Sequence, residues 1–339
     1  MKSPFITFFI AVALLLSIAV FSLVSGAVSI SSFGILQWLI GLEATSLNAT
    51  ERTILWQLRL PRVITACLVG GSLGIAGVGF QSLFRNPLAD PYVIGASSGA
   101  GLGVALAVVL SFQASLMGLS GVALSAMVGS WLAVSIVFAI GSVGRGSSVL
   151  TLLLAGVAVS SMINAIASLV MYMNDDSVVV ILAWLMGSLA GNDWSVVAAT
   201  ALSSFLGYFI LWSMSRPMDV FLLGDVASES LGMDLFRFRL LIVVGSSIAT
   251  AAAVACAGII GFVGLIAPHI ARRLVGPRHA RLLPMSACAG AAIMMVADLV
   301  ARTIVAPAEL PVGILTALLG SPFFLVLLKS RGEARDGAA

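Results

Sequence analysis

The chain has 339 residues, of which 60% are hydrophobic and 9% charged, with a formal net charge of +3 and a mean hydropathy of +1.15. Soluble domains carry about 25% charged residues, so a water-soluble fold is excluded. The apolar runs are continuous rather than alternating, which excludes an outer-membrane barrel and leaves an all-α polytopic membrane protein, one transmembrane domain over residues 1–339.

The first apolar run covers residues 5–25. Lys2 before it and "VSGAVS" after it imitate a signal peptide, but a length of about 20 residues predicts a retained first span. Spans follow at 62–80, entered through "RLPR", and at 93–112. Gly70 and Gly74 in the former, and Gly95, Gly99 and Gly103 in the latter, form GxxxG steps that let helix backbones approach closely. "GASSG", Gly95 to Gly99, matches the GxSxG nucleophile elbow in letters, yet an elbow needs a preceding strand and a histidine in reach. At the start of an apolar helix it reads as a packing face.

Further spans are predicted at 117–140, 150–172 and 196–214. Then comes a hydrophilic interruption, "FLLGDVASESLGMDLFRFR", in which Asp225, Ser228, Glu229, Ser230 and Asp234 crowd into about three helical turns. Leu223, Ala227 and Leu231 recur every four residues beside Val226 and Ser230. This spacing predicts a short helix bounded by Gly224 and Gly232, with one packing face and with Asp225 and Glu229 on another.

The last four spans are predicted at 240–257, 260–274, 284–303 and 311–328. Gly258, Gly261, Gly264 and Pro268 predict that the 260–274 span is short and broken. Asp298 is placed to pair with Arg302 at i+4. His269, in "APHIARR", lacks neighbouring Asp, Glu or Cys and reads as structural or interfacial rather than as a metal ligand. Cys67, Cys256 and Cys288 lie in apolar runs without CxxC spacing and read as packing residues. A faint echo joins "RLPRVITACLVGGSLGIAG" (Arg59 to Gly77) to "RLLIVVGSSIATAAAVACAG" (Arg239 to Gly258), two segments that enter the membrane from opposite sides, as inverted repeats would.

Ten spans put both termini on one side. If that side is cytoplasmic, it holds Lys2, Arg85, Arg145, Arg216, Arg237, Arg239, Arg272, Arg273, Arg278, Arg281, Lys329, Arg331 and Arg335, leaving Arg52, Arg59, Arg62 and Arg302 outside. Thirteen against four, together all 17 Lys and Arg, is a strong positive-inside bias. The acidic interruption is therefore placed in the cytoplasm. A P-loop lysine is absent, since only Lys2 and Lys329 exist and neither follows a glycine loop, so any use of ATP depends on another chain. Ion-coupled transport is disfavoured because the spans are almost free of ionisable groups. Arg59, Arg62 and Arg302 form a candidate positive rim on the outer side for an acidic partner.

Seven motifs, in order, resemble the FecCD/BtuC-like permease family, the membrane subunits of type II ABC importers for iron-siderophore, haem and cobalamin uptake. They are "LRLPRVITACLVGGSLGIAGVGFQSLFRNPLADPYVIGASSGAG" (Leu58 to Gly101), "LLLAGVAVS" (Leu152 to Ser160), "AWLMGSLAGNDW" (Ala183 to Trp194), "LGDVASESLGM" (Leu223 to Met233), "GFVGLIAPHIARRLVGPRHARLLP" (Gly261 to Pro284), "ADLVAR" (Ala297 to Arg302) and "ELPVGILTALLGSPFF" (Glu309 to Phe324).

The resemblance implies ten spans per subunit and a pathway between two permease subunits, a homodimer or a pair of close paralogues, in a bacterial inner membrane. It implies that Arg59, Arg62 and Arg302 receive acidic residues of a periplasmic binding protein. Asn86, Leu88, Ser147 and Ser148 would form the cytoplasmic gate. Leu223, Gly224, Asp225, Ser228, Glu229, Leu231 and Gly232, within a cytoplasmic segment of about 216–239, would couple to the ATPase subunit. Ser160, Ser161, Asn164 and Met171 would line the pathway. Many relatives carry two acidic residues where this chain has Gly224, Asp225 and Val226. No cofactor or metal is expected on this chain, with ATP and Mg on two copies of the partner ATPase, and no nucleic acid among its partners. Iron-siderophore is the expected cargo, with haem and cobalamin as alternatives.

Overall fold

The computed structural model describes residues 4–26, 28, 30–39, 47–116, 118–141 and 149–336. Helices α1 (Pro4–Val24), α2 (Ser32–Leu39) and α3 (Ala49–Thr53) lead into α4 (Leu60–Leu83), α5 (Ala96–Val109), α6 (Gly121–Gly141) and α7 (Val149–Tyr172). After α8 (Val178–Leu185) and α9 (Trp194–Ser213) come two short helices, α10 (Ser215–Phe221) and α11 (Asp225–Ser230). The chain then runs through α12 (Leu235–Ala257), α13 (Val263–Val275), α14 (His279–Thr303) and α15 (Val312–Asp336). A two-residue hairpin, Ser115–Leu116 against Leu119–Ser120, joins α5 to α6.

Each predicted span falls on a helix: α1, α4 to α7, α9 and α12 to α15. Among the described residues, seven helical stretches are long and apolar enough to cross a bilayer alone, whereas α5, α13 and the apolar part of α15 are shorter. Before α4, a π-helical stretch, Ile54–Arg59, makes Ala49 to Leu83 one continuous helical run. Pro61 explains it: its ring has no N–H and crowds the preceding turn, and widening that turn so that Leu60 N–H reaches Leu55 O relieves the conflict. Asn48 and Glu51 close the start of the run with reciprocal hydrogen bonds of 2.8 Å.

The bundle is organised about α4 and α12, each with 78% of its apolar window buried, against 11% for α1 at the periphery. The predicted GxxxG glycines other than Gly95 are where backbones touch. A methyl built on Gly70 would stand 2.2 Å from Gly290 O on α14, and one on Gly99 would stand 2.2 Å from Gly129 O on α6. Gly77 is tighter still, its added methyl falling 1.8 Å from Gly264 O. Gly77→Ala is expected to destabilise the folded chain by about 1–3 kcal/mol. Gly71→Ala, whose nearest atom would be an uncrowded 3.6 Å away, should leave the thermal unfolding midpoint in detergent unchanged.

Gly264 also abuts Pro91 and Leu73 O, so α13 begins beside the middle of α4. The irregular stretches before α5 and α13 meet there, where Ile260 N–H donates to the Tyr92 hydroxyl at 3.3 Å. Both short helices start after a left-handed residue, Gly95 (φ 90°) and Phe262 (φ 68°). Non-helical backbone inside a bundle must find partners there. Ser188 N–H to Ala257 O, Val312 N–H to Gly187 O and Gly313 N–H to Met186 O, at 2.9–3.1 Å, supply them. The two echoing segments, on α4 and α12, thus pack side by side, and each is followed by an irregular stretch and a short helix.

Candidate functional site

At the predicted outer end, Arg59, Arg62 and Arg302 come together but turn inward. Residues Arg59 and Arg302 are 6% and 7% exposed. The last carbonyls of α1 lack intrahelical donors and carry the negative end of its dipole. Arg59 donates to Leu23 O (2.7 Å), Val24 O (2.9 Å) and Val28 O, while Arg302 donates to Ser22 O and Ser22 Oγ.

Arg62 grips Asp298 through Nε (2.9 Å) and Nη2 (2.8 Å), and Glu309 through Nη1 (2.8 Å) and Nη2 (2.9 Å). The predicted Asp298–Arg302 pair is present at 3.8 Å, but Arg62 is the closer partner. Hydrogen bonding from Arg62 holds the Glu309 carboxyl below its usual range. Of the predicted positive rim, Arg59 and Arg302 are thus buried. Among the described residues, three guanidinium groups face two carboxylates, and Arg59 and Arg302 turn to backbone carbonyls at and just beyond the end of α1 as internal clamps. An aromatic cluster marks the same end: Trp56 lies 5.9 Å from Trp38 and 4.9 Å from Trp194, whose indole N–H donates to Trp56 O at 2.9 Å.

At the predicted inner end, the acidic interruption forms α11 between two left-handed glycines, Gly224 (φ 107°) and Gly232 (φ 83°), as expected. Its orientation differs from the sequence reading. Ser228 is fully buried and its hydroxyl donates to Gly224 O at 2.7 Å. Leu223, Val226 and Leu231 instead point outward, 66%, 79% and 67% exposed. Glu229 is exposed, but Asp225 faces the protein, bridging Arg85 and Arg239 (2.8 Å). The apolar face is thus presented outward, and the acid braces the segment from within. Asp219 adds a second brace, accepting from the His279 backbone N–H (3.1 Å) and meeting its Nδ1 at 2.5 Å.

Asn86 and Leu88 sit in a tight turn after α4, where Leu88 N–H donates to Asn86 Oδ1 at 3.0 Å. Ser147 and Ser148 lie outside the described residues. On α7, Ser161 and Asn164 belong to an exposed stripe with Leu150, Leu154 and Val157. Ser160 and Met171 turn inward instead, the former toward Gly95, the latter against the core around Ala100 and Ile181. Ser98 donates to Gly95 O at 2.9 Å, consistent with packing rather than an elbow.

Residues 14–330 match the FecCD transport family. The chain belongs to that family. As a FecCD permease it is the transmembrane subunit of an ABC importer, working with a separate ATPase subunit and a substrate-binding protein. It is 42% identical over 282 residues to the cobalamin import system permease protein BtuC of Halobacterium salinarum, covering 83% of this chain and 75% of that one. It is 37% identical over 330 residues to the Fe(3+)-citrate import system permease protein YfmE of Bacillus subtilis, covering 97% and 96%. A solved structure of a metal-chelate type ABC transporter in an inward-facing conformation superposes with a TM-score of 0.83 at 34% identity, over 97% of this chain and all of that one. Sequence reasoning missed Arg85 and Arg239 as site residues. The signal for Arg85 was its position directly before "NPL".

Proposed function

We propose that this FecCD permease moves an iron–siderophore chelate from a periplasmic binding protein into the cytoplasm of a bacterium, between two permease subunits driven by two copies of an ATPase subunit. The observation that carries the reading is the outward apolar face of α11 on a chain without a P-loop lysine. An apolar surface held in water by a buried serine and an internal ion bridge is suited to a groove on another protein. Both termini are assigned to the cytoplasm by the excess of Arg and Lys on the α11 side.

The exposed stripe of α7 and the outward side chains Ile314, Leu318, Leu319 and Leu325 of α15 supply an apolar, weakly polar wall for a second permease copy and the pathway. Such a wall suits a bulky chelate that brings its own coordination shell. Binding-protein docking is assigned to Arg62 and the loop it holds through Glu309, with Arg59 and Arg302 shaping that surface from beneath. The gate is assigned to the Asn86–Leu88 turn together with Ser147 and Ser148.

Proteoliposomes holding the complete importer test the cargo. With cognate binding protein outside and ATP inside, radiolabelled ferric siderophore should accumulate at least tenfold above the ATP-free control, and haem and cobalamin should not. Uptake of cobalamin alone would replace this reading with the one favoured by the Halobacterium relative.

A further inference from the structure

We propose that Arg85 and Asp225 form the mechanical link between the ATPase-docking segment and the gate turn, an inference that rests on the importer reading above. The local geometry at Arg85 points to it first. Helix α4 closes with Arg85 N–H on Ser82 O and Asn86 N–H on Gln81 O, both at 3.1 Å, the paired bonds of a Schellman ending. Arg85 occupies the left-handed position of that ending, at φ 46°. Glycine is the usual residue there, because a side chain strains the backbone. An arginine at a strained position invites the question of what its side chain holds.

It holds three things. Nε donates to Phe221 O at 2.9 Å, the guanidinium carbon lies 3.9 Å from the centre of the Phe221 ring, and Nη2 meets Asp225 Oδ1. The other Asp225 oxygen accepts from Arg239 Nη2 at 2.8 Å. Arg85 and the carboxylate at the first residue of α11 thus tie together the end of α4, the end of α10 and the second turn of α12. Immediately after Arg85, the turn from Asn86 to Leu88 is locked by Leu88 N–H on Asn86 Oδ1 and Ala89 N–H on Asn86 O, both at 3.0 Å. A displacement of α11 therefore pulls on the residue adjoining the gate turn, or breaks these bonds.

The exposure of the pair separates this role from a stabilising one. The Arg85 and Asp225 side chains are 30% and 39% exposed, and ion pairs so open to water add little to folding stability. Arg85→Gly removes every side-chain contact and places the residue that suits the left-handed backbone best. It is a cut in the link without a break in the helix ending.

The experiment uses the complete importer in proteoliposomes and reads cargo transported per ATP hydrolysed for Arg85→Gly, Asp225→Asn and the double variant. Arg85→Gly should melt no lower than the parent, retain the ATPase subunit on copurification and lose about fivefold or more of the transport-to-hydrolysis ratio. The double variant should be no worse than the poorer single, because both cut one link. A parental ratio in Arg85→Gly with the ATPase bound, or losses that multiply in the double, overturns the proposal. Asp225→Asn supplies the same readout if Arg85→Gly folds poorly, a parental ratio there being equally fatal. Failure of the docking reading itself would look different, as ATPase binding that survives substitution of Leu223, Val226 and Leu231.

Discussion

Asp298→Ala is expected to destabilise the folded chain by about 3–5 kcal/mol, a typical cost when one partner of a buried ion pair is removed. Asp298 is 1% exposed and neutralises Arg62 directly and Arg302 at longer range. Its loss leaves Arg62 and Arg302 with Glu309, itself 39% exposed, as the one other carboxylate among the described residues there. Water cannot readily solvate the Arg302 guanidinium, which is wedged between α14 and the end of α1. Thermal and denaturant unfolding in detergent, with Asp298→Asn as a charge-only control, should show both variants well below the parent. A shift under about 1 kcal/mol for either would mean that the cluster relaxes to admit water and that the clamp is not structural. Because the same cluster holds the last turn of α1, the variant should also expose that segment to protease.

Replacing Leu223, Val226 and Leu231 together with serine should abolish copurification of the ATPase subunit, weakening the contact by at least a hundredfold. Burying an aliphatic side chain of this size contributes about 1.5–3 kcal/mol, and three such losses exceed the 2.8 kcal/mol that a hundredfold represents. All three are exposed in this chain, so the triple variant should fold and melt like the parent. Undiminished copurification, or parental ATPase activity in the complex, would remove α11 from the interface. Charge reversal at Asp225 is a less direct probe of the same contact, since its carboxylate is spent on Arg85 and Arg239. Glu229, which is exposed, is the acid placed to meet a partner.

Much of the architecture was legible in the chain because a bilayer imposes one-dimensional constraints. Apolar length marks spans, and each of the ten predicted spans lies on a helix, including the short α13, whose glycines announced the irregular entry, whereas Pro268 was expected to break the helix and instead lies inside it. GxxxG spacing marked the faces where α4 meets α14 and α5 meets α6. The partner glycines, Gly290 and Gly129, carry no comparable mark, since a close approach is a property of two helices and spacing describes one. The π-helical stretch Ile54–Arg59 was not legible, although Pro61 causes it, because proline can end a helix, kink it or widen it, and neighbouring packing selects among these.

The functional side chains divide in the same way. Residue type and order along the chain determined the membrane class, the need for an ATPase in another chain, the family, and the boundaries of α11 at Gly224 and Gly232. Direction was decided only in three dimensions. Arg59 and Arg302 were expected to face a partner and instead take the carbonyls of α1, contacts across 36 and 280 residues of chain. Asp225 was expected away from the packing face and instead closes a bridge to Arg85, 140 residues away. The physical reason is common to all three. Hydropathy and helical period are properties of neighbours in sequence, whereas a charge settles where desolvation, opposite charge and unpaired carbonyls balance, and those groups arrive from distant parts of the chain.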